Sequence, residues 1–64
     1  MTRIREERKK RGWTQTDLSY LSRVPASEIS RIESGRLSPS PGQLQRLGRA
    51  LGIRPDELTA EGRN

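Results

Sequence analysis

The chain contains no cysteine and no histidine. Their absence removes disulfides, thiolate chemistry, most zinc sites and the commonest general base. Hydrophobic residues are only 28% of its 64 residues, enough for one domain with one small core, expected over residues 1–60 with 61–64 as a frayed tail. No apolar run approaches the roughly 20 residues needed to cross a bilayer, and the N-terminus is charged, without the apolar stretch of a signal peptide. A cytoplasmic, nucleoid-associated location is therefore expected. Aromatic residues are 3% of the chain, so only Trp13 and Tyr20 are on hand to stack on unpaired bases. A single-strand reader is disfavoured on that count. Trp13 is assigned to the core and Tyr20 to the surface.

Catalytic arrangements are lacking too. Glu6 and Glu7 are neighbours that a helix turns about 100° apart, so they cannot flank a substrate as an acid/base pair. No serine has a base to activate it, and no Ser-x-x-Lys spacing occurs. Gly42, Gly48 and Gly52 follow no strand and precede no Gly-Lys-Ser/Thr, so they make no phosphate loop. No enzyme activity, cofactor, metal or small-molecule effector is expected.

What the chain has in excess is positive charge. Thirteen Lys and Arg against eight Asp and Glu leave a net charge of +5, which favours an anionic partner. A membrane surface fits poorly, because the most basic segment, from Arg3 to Arg11, offers only Ile4 as a large apolar residue. Duplex DNA fits better.

Start and stop signals divide the chain into five short helices. The first covers residues 3–11 and ends at Gly12, with Lys9, Lys10 and Arg11 as a cationic C-terminal cluster suited to the helix dipole and to steering of an anion. Thr14-Gln15-Thr16-Asp17 has capping-box spacing and opens a helix over 15–22, with Leu18 and Leu21 as its inward stripe. Arg23-Val24-Pro25 leaves only a tight turn before the next helix, which predicts a helix-turn-helix. Gly35 stops that third helix. Ser40-Pro41-Gly42-Gln43 combines an N-cap, a first-turn proline and a capping-box glutamine, and Leu44, Leu47 and Leu51 then recur at core spacing up to Gly52. A last short helix begins at Pro55, with Leu58 directed inward.

The third helix has the most informative pattern. At about 100° per residue, Ile29 and Ile32 fall on one side and Ser27, Ser30, Arg31 and Ser34 on the other. Small hydroxyl residues let a helix sit deep in a groove, and an arginine among them can donate two parallel hydrogen bonds to O6 and N7 of guanine.

Trp13-Thr14-Gln15-Thr16-Asp17-Leu18-Ser19, Ile29-Ser30-Arg31-Ile32-Glu33-Ser34-Gly35 and Leu47-Gly48-Arg49-Ala50-Leu51-Gly52-Ile53, in this order and spacing, resemble the phage repressor/Cro (lambda-repressor-like) family of helix-turn-helix DNA-binding domains. The resemblance runs over residues 3–58. It implies an all-α, five-helix fold in which helices two and three form the helix-turn-helix. It also implies base-reading positions at Ala26, Ser27, Ser30 and Arg31, and phosphate contacts at Thr14, Gln15, Ser34 and Arg36. An ion pair between Arg8 and Glu33 belongs to the same pattern. Arg23 stands where the family often has a glycine, so either the turn is adjusted there or Arg23 is kept because it reaches phosphate. Pro25 takes the usual N-cap position of the reading helix, with Ser27 expected to compensate in part, and Glu7 replaces a common leucine. The expected function is sequence-specific binding of double-stranded DNA by a bacterial or phage transcriptional regulator, as a homodimer that forms on DNA; residues 53–60 with Leu58 either pair the copies or, in the case of Leu58, close the monomer core. Two rivals are a small adaptor or antitoxin-like module, marked by an exposed apolar patch among Tyr20, Leu37 and Leu58, and a nonspecific basic DNA coater.

Overall fold

A computed structural model describes residues 2–59, and the expected tail at 61–64 lies outside them. The helices are α1 (Thr2–Lys10), α2 (Gln15–Ser22), α3 (Ala26–Glu33), α4 (Pro41–Leu51) and α5 (Pro55–Thr59); the described residues form no strand. None of these helices is long and apolar enough to cross a membrane.

Their ends follow from local chemistry. Thr14 accepts the Asp17 amide at 3.0 Å and the Asp17 carboxylate accepts the Thr14 amide at 2.8 Å, a reciprocal box at the start of α2. Ser40 and Gln43 repeat it at α4, at 3.2 and 3.0 Å. Three helices close alike at the other end: the amides of Trp13, Arg36 and Ile53 reach back to the carbonyls of Arg8, Arg31 and Gly48 at 3.2, 2.8 and 2.8 Å, each just after a left-handed glycine. The exception is α2. Arg23 takes the left-handed position there, at φ 62°, and its amide bonds the Ser19 carbonyl at 2.8 Å.

Ile4, Leu18, Val24, Ile29, Ile32, Leu47, Leu51 and Leu58 form the buried core, with Trp13, Leu37, Leu44, Ala50 and Ile53 packed around it. Val24 anchors the tight turn, so α2 and α3 are joined through the core and not only through three linking residues. Gly48 is also required by packing: a Cβ there would lie 2.5 Å from the Ile53 carbonyl oxygen, so the chain after α4 folds directly onto a bare helix surface.

Two expectations are corrected and one open choice is decided. Leu21 is half exposed, and Ser22 takes the inward position, donating to the Leu18 carbonyl at 2.6 Å and accepting the Val24 amide at 3.3 Å. From Leu18, helical winding puts position 21 about 60° to one side and position 22 about 40° to the other, and the core lies on the second side. Leu58, open between pairing two copies and closing the core, is fully buried and closes the core. No side chain caps α3 at Pro25, and Ser27 supplies no substitute bond among the described residues.

Candidate nucleic-acid interface

The outer face of α3 is polar and open. Ser27, Ser30, Arg31 and Ser34 are exposed and Ala26 half-buried, while Ile29 and Ile32 hold the opposite face in the core. The Arg31 carbonyl accepts the amides of Arg36 and Leu37, at 2.8 and 3.2 Å, and the Ser34 hydroxyl at 3.1 Å. This convergence fixes the direction in which the 34–40 loop leaves the helix. Among the described residues no carboxylate pairs with the guanidinium of Arg31, Arg36 or Arg23.

The first turn of α2 is held to the last turn of α3 by a polar cluster. Arg8 donates to Glu33 from Nε to Oε2 at 2.8 Å and from Nη2 to Oε1 at 2.9 Å, and its Nη1 donates to the Trp13 carbonyl at 2.7 Å. Gln15 donates from Nε2 to Glu33 Oε1 at 3.2 Å. That amide nitrogen carries two hydrogens, so one donor remains for an outside acceptor. Burial alone would raise the Glu33 carboxyl, but the hydrogen bonds from Arg8 and Gln15, with the charges of Arg8 and Arg5, hold it below its ordinary value. The hydrogen bond to Glu33 in turn raises the Arg8 guanidinium against the opposing effect of burial.

Two further links were not foreseen. Gln43, besides completing the α4 box, donates from Nε2 to Glu28 Oε1, tying the start of α4 to α3. Arg11, expected in a cationic cluster with Lys9 and Lys10, also serves as a brace between helices. It donates to the Glu7 carboxylate at 3.0 Å, to the Glu7 carbonyl at 2.7 Å and to the Leu51 carbonyl, with its guanidinium 5.8 Å from the centre of the Trp13 ring. The four-residue spacing of Glu7 and Arg11 was the available signal. The hydrogen bond from Arg11 holds the Glu7 carboxyl below its ordinary value, helped by Lys10 and Arg3 and opposed by burial.

Thr14 and Gln15 thus stand at the front of α2, directly braced to α3, whereas Arg23 is at its far end. An eight-residue helix is about 12 Å long. Arg23 shares a groove with Arg46 and Arg49.

The sequence model of the helix-turn-helix family matches residues 4–58. The chain belongs to the Cro/C1-type helix-turn-helix family. Among curated relatives it is similar to a competence pilus inhibition repressor of Acinetobacter baylyi, 40% identical over 48 residues that cover 75% of this chain and 44% of the relative. It is also similar to an uncharacterized HTH-type transcriptional regulator of Methanothermobacter thermautotrophicus, 45% identical over 51 residues, 80% of this chain and 74% of the relative. The chain therefore spans less than half of the first relative and about three quarters of the second. No solved structure matches it. In this helix-turn-helix protein α2 and α3 supply the motif, and the family's work is DNA binding in transcription regulation.

Proposed function

We infer that the chain reads double-stranded DNA by sequence, with α3 seated in the major groove. The observation that carries this reading is the outer face of α3, where Ser27, Ser30 and Ser34 surround an exposed Arg31 that no carboxylate engages among the described residues, on a helix fixed from behind by Ile29 and Ile32. Side chains of this size admit the helix to the groove floor, and Arg31 supplies the forked donor that matches guanine. Ser27 and Ser30 can donate to or accept from base edges, and the Ala26 methyl suits thymine.

Thr14 and Gln15 hold the front of α2 against one phosphate, and Ser34 and Arg36 meet the backbone beyond α3. Arg23, at the other end of α2, is assigned to a separate phosphate. The excess positive charge adds salt-sensitive affinity at every sequence. One α3 covers only a few base pairs, so two copies on a two-fold site, with half-sites about 34 Å apart, supply the specificity a regulator needs. DNA brings the copies together. The repressor and regulator names of the relatives favour transcriptional control over a coating role.

Selection from a randomised duplex library at near-physiological salt tests the reading. Enrichment of a palindrome with half-sites one helical turn apart is expected; retention without enrichment would identify a nonspecific coater instead.

A further inference from the structure

DNA reading by α3 leaves unused an open groove of about 720 Å³ between α2 and α4. Trp13, Leu21 and Ala50 give it apolar walls, and Arg23, Arg46 and Arg49 stand around it. Tyr20, 86% exposed, and Leu21, 50% exposed, are adjacent on α2 and share a neighbouring hollow with Trp13. These are the two large hydrophobic side chains left exposed among the described residues. Among those residues no carboxylate pairs with Arg23, Arg46 or Arg49; Arg46 reaches only the Gly42 carbonyl of its own helix, at 3.4 Å.

Apolar walls inside a ring of unpaired cations call for an occupant that is apolar at its centre and acidic at its edges. We propose that the groove is a docking site for an acidic amphipathic helix of a partner protein. Arg46 and Arg49 are three positions apart on α4, so their Cβ atoms lie about 5–6 Å from each other, the spacing at which carboxylates recur on one face of a partner helix. A bulky apolar side chain between those carboxylates would enter against Trp13 and Leu21, the usual helix-in-groove arrangement. Phosphate backbone matches the arginines but gives Tyr20 and Leu21 nothing to bury against. Of the residues assigned to DNA only Arg23 lines the groove, and neither α3 nor the loop after it does, so a partner held by Arg46, Arg49 and the apolar wall leaves the reading helix free for duplex.

The test is a nuclear magnetic resonance titration of the whole chain with a synthetic helical peptide carrying Glu on one face and Leu and Trp on the other. Its controls are a scrambled peptide and one with Lys in place of Glu. Saturable shifts are expected at Leu21, Ser22, Arg46, Arg49 and Ala50 with the first peptide only, and they persist when duplex is bound. The double variant Arg46→Gln, Arg49→Gln, with its thermal midpoint checked, weakens the peptide at least about tenfold. Leu21→Ser weakens it through the apolar wall while leaving the charges in place. Shifts that follow charge over the whole basic surface, shifts at α3, or no saturable shift would overturn the proposal. So would groove shifts caused by raising protein concentration alone, which mean a second copy. A chain that takes the peptide but no duplex would sink the DNA reading and leave the docking site standing.

Discussion

Arg8 and Glu33, 25 positions apart in sequence, meet through two parallel hydrogen bonds in a nearly closed site between α1 and α3. The pair does more than join two helices. Glu33 also receives Gln15, so one carboxylate sets the distance between the front of α2 and the back of α3, the two parts assigned to a duplex.

Glu33→Gln keeps the shape and removes the charge, leaving Arg8 buried without its counter-ion. The variant is expected to lose about 2–4 kcal/mol, a large share of what so small a domain holds. Urea denaturation followed by circular dichroism measures the loss, and an unchanged midpoint would mean that the pair contributes nothing net.

Acid should destabilise the protein below about pH 4.5. The Glu33 and Glu7 carboxyls both lie below their ordinary value of 4.5 in the folded chain, Glu33 because its hydrogen bonds and cationic neighbours together outweigh burial, Glu7 chiefly through Arg11. Just under that value the unfolded chain takes up protons that the folded chain refuses. Stability is therefore full above about pH 4.5 and falls as pH drops through the lowered folded-state values. Thermal midpoints recorded from neutral pH to about pH 3 should trace this fall, and Glu33→Gln should flatten it.

Arg31 and Arg36 should separate on DNA. Arg31→Ala is expected to lose about 1–3 kcal/mol of discrimination between the enriched site and a mutated one. Arg36→Ala should weaken both alike and lower the salt slope by about one unit. Competition binding across a salt series reads both effects, and equal loss of discrimination in the two variants would argue against α3 as the reading element.

Replacing Arg23 by glycine should stabilise the fold. A left-handed backbone costs a residue with a side chain about 1 kcal/mol, and among the described residues the Arg23 guanidinium makes no hydrogen bond. A gain of up to about 1 kcal/mol in urea is expected, partly offset by the greater freedom of glycine in the unfolded chain. The salt slope of the same variant on duplex DNA tests the phosphate role: a slope equal to that of the parent chain would remove it.

Much of the fold was legible because local rules and the core agree. Thr14 with Asp17, Ser40 with Gln43, and Gly12, Gly35 and Gly52 mark ends that the structure keeps within a residue or so. Apolar spacing found Ile29, Ile32, Leu47, Leu51 and Leu58. It failed on α1, whose inward face carries Ile4, Glu7 and Arg8, two of them charged and held by bonds to other side chains and carbonyls. A hydrophobic pattern has no means of registering such a face. It failed on Leu21 for a different reason: a serine that satisfies its own hydroxyl against a helix carbonyl competes well for a small inward position. The groove beside Leu21 was hidden for the same reason, since Trp13, Arg46 and Arg49 meet only once α2 and α4 are packed.

α1 packs against α5, and Ile4 and Leu58 share one core. The first and last described helices are thus spatial neighbours. A circular permutant that links the two ends of the chain and opens it at exposed Ser38 should keep every helix and cap, while cutting the loop that α3 needs on its way to α4. Such a rearranged chain would separate folding from reading without changing a single side chain.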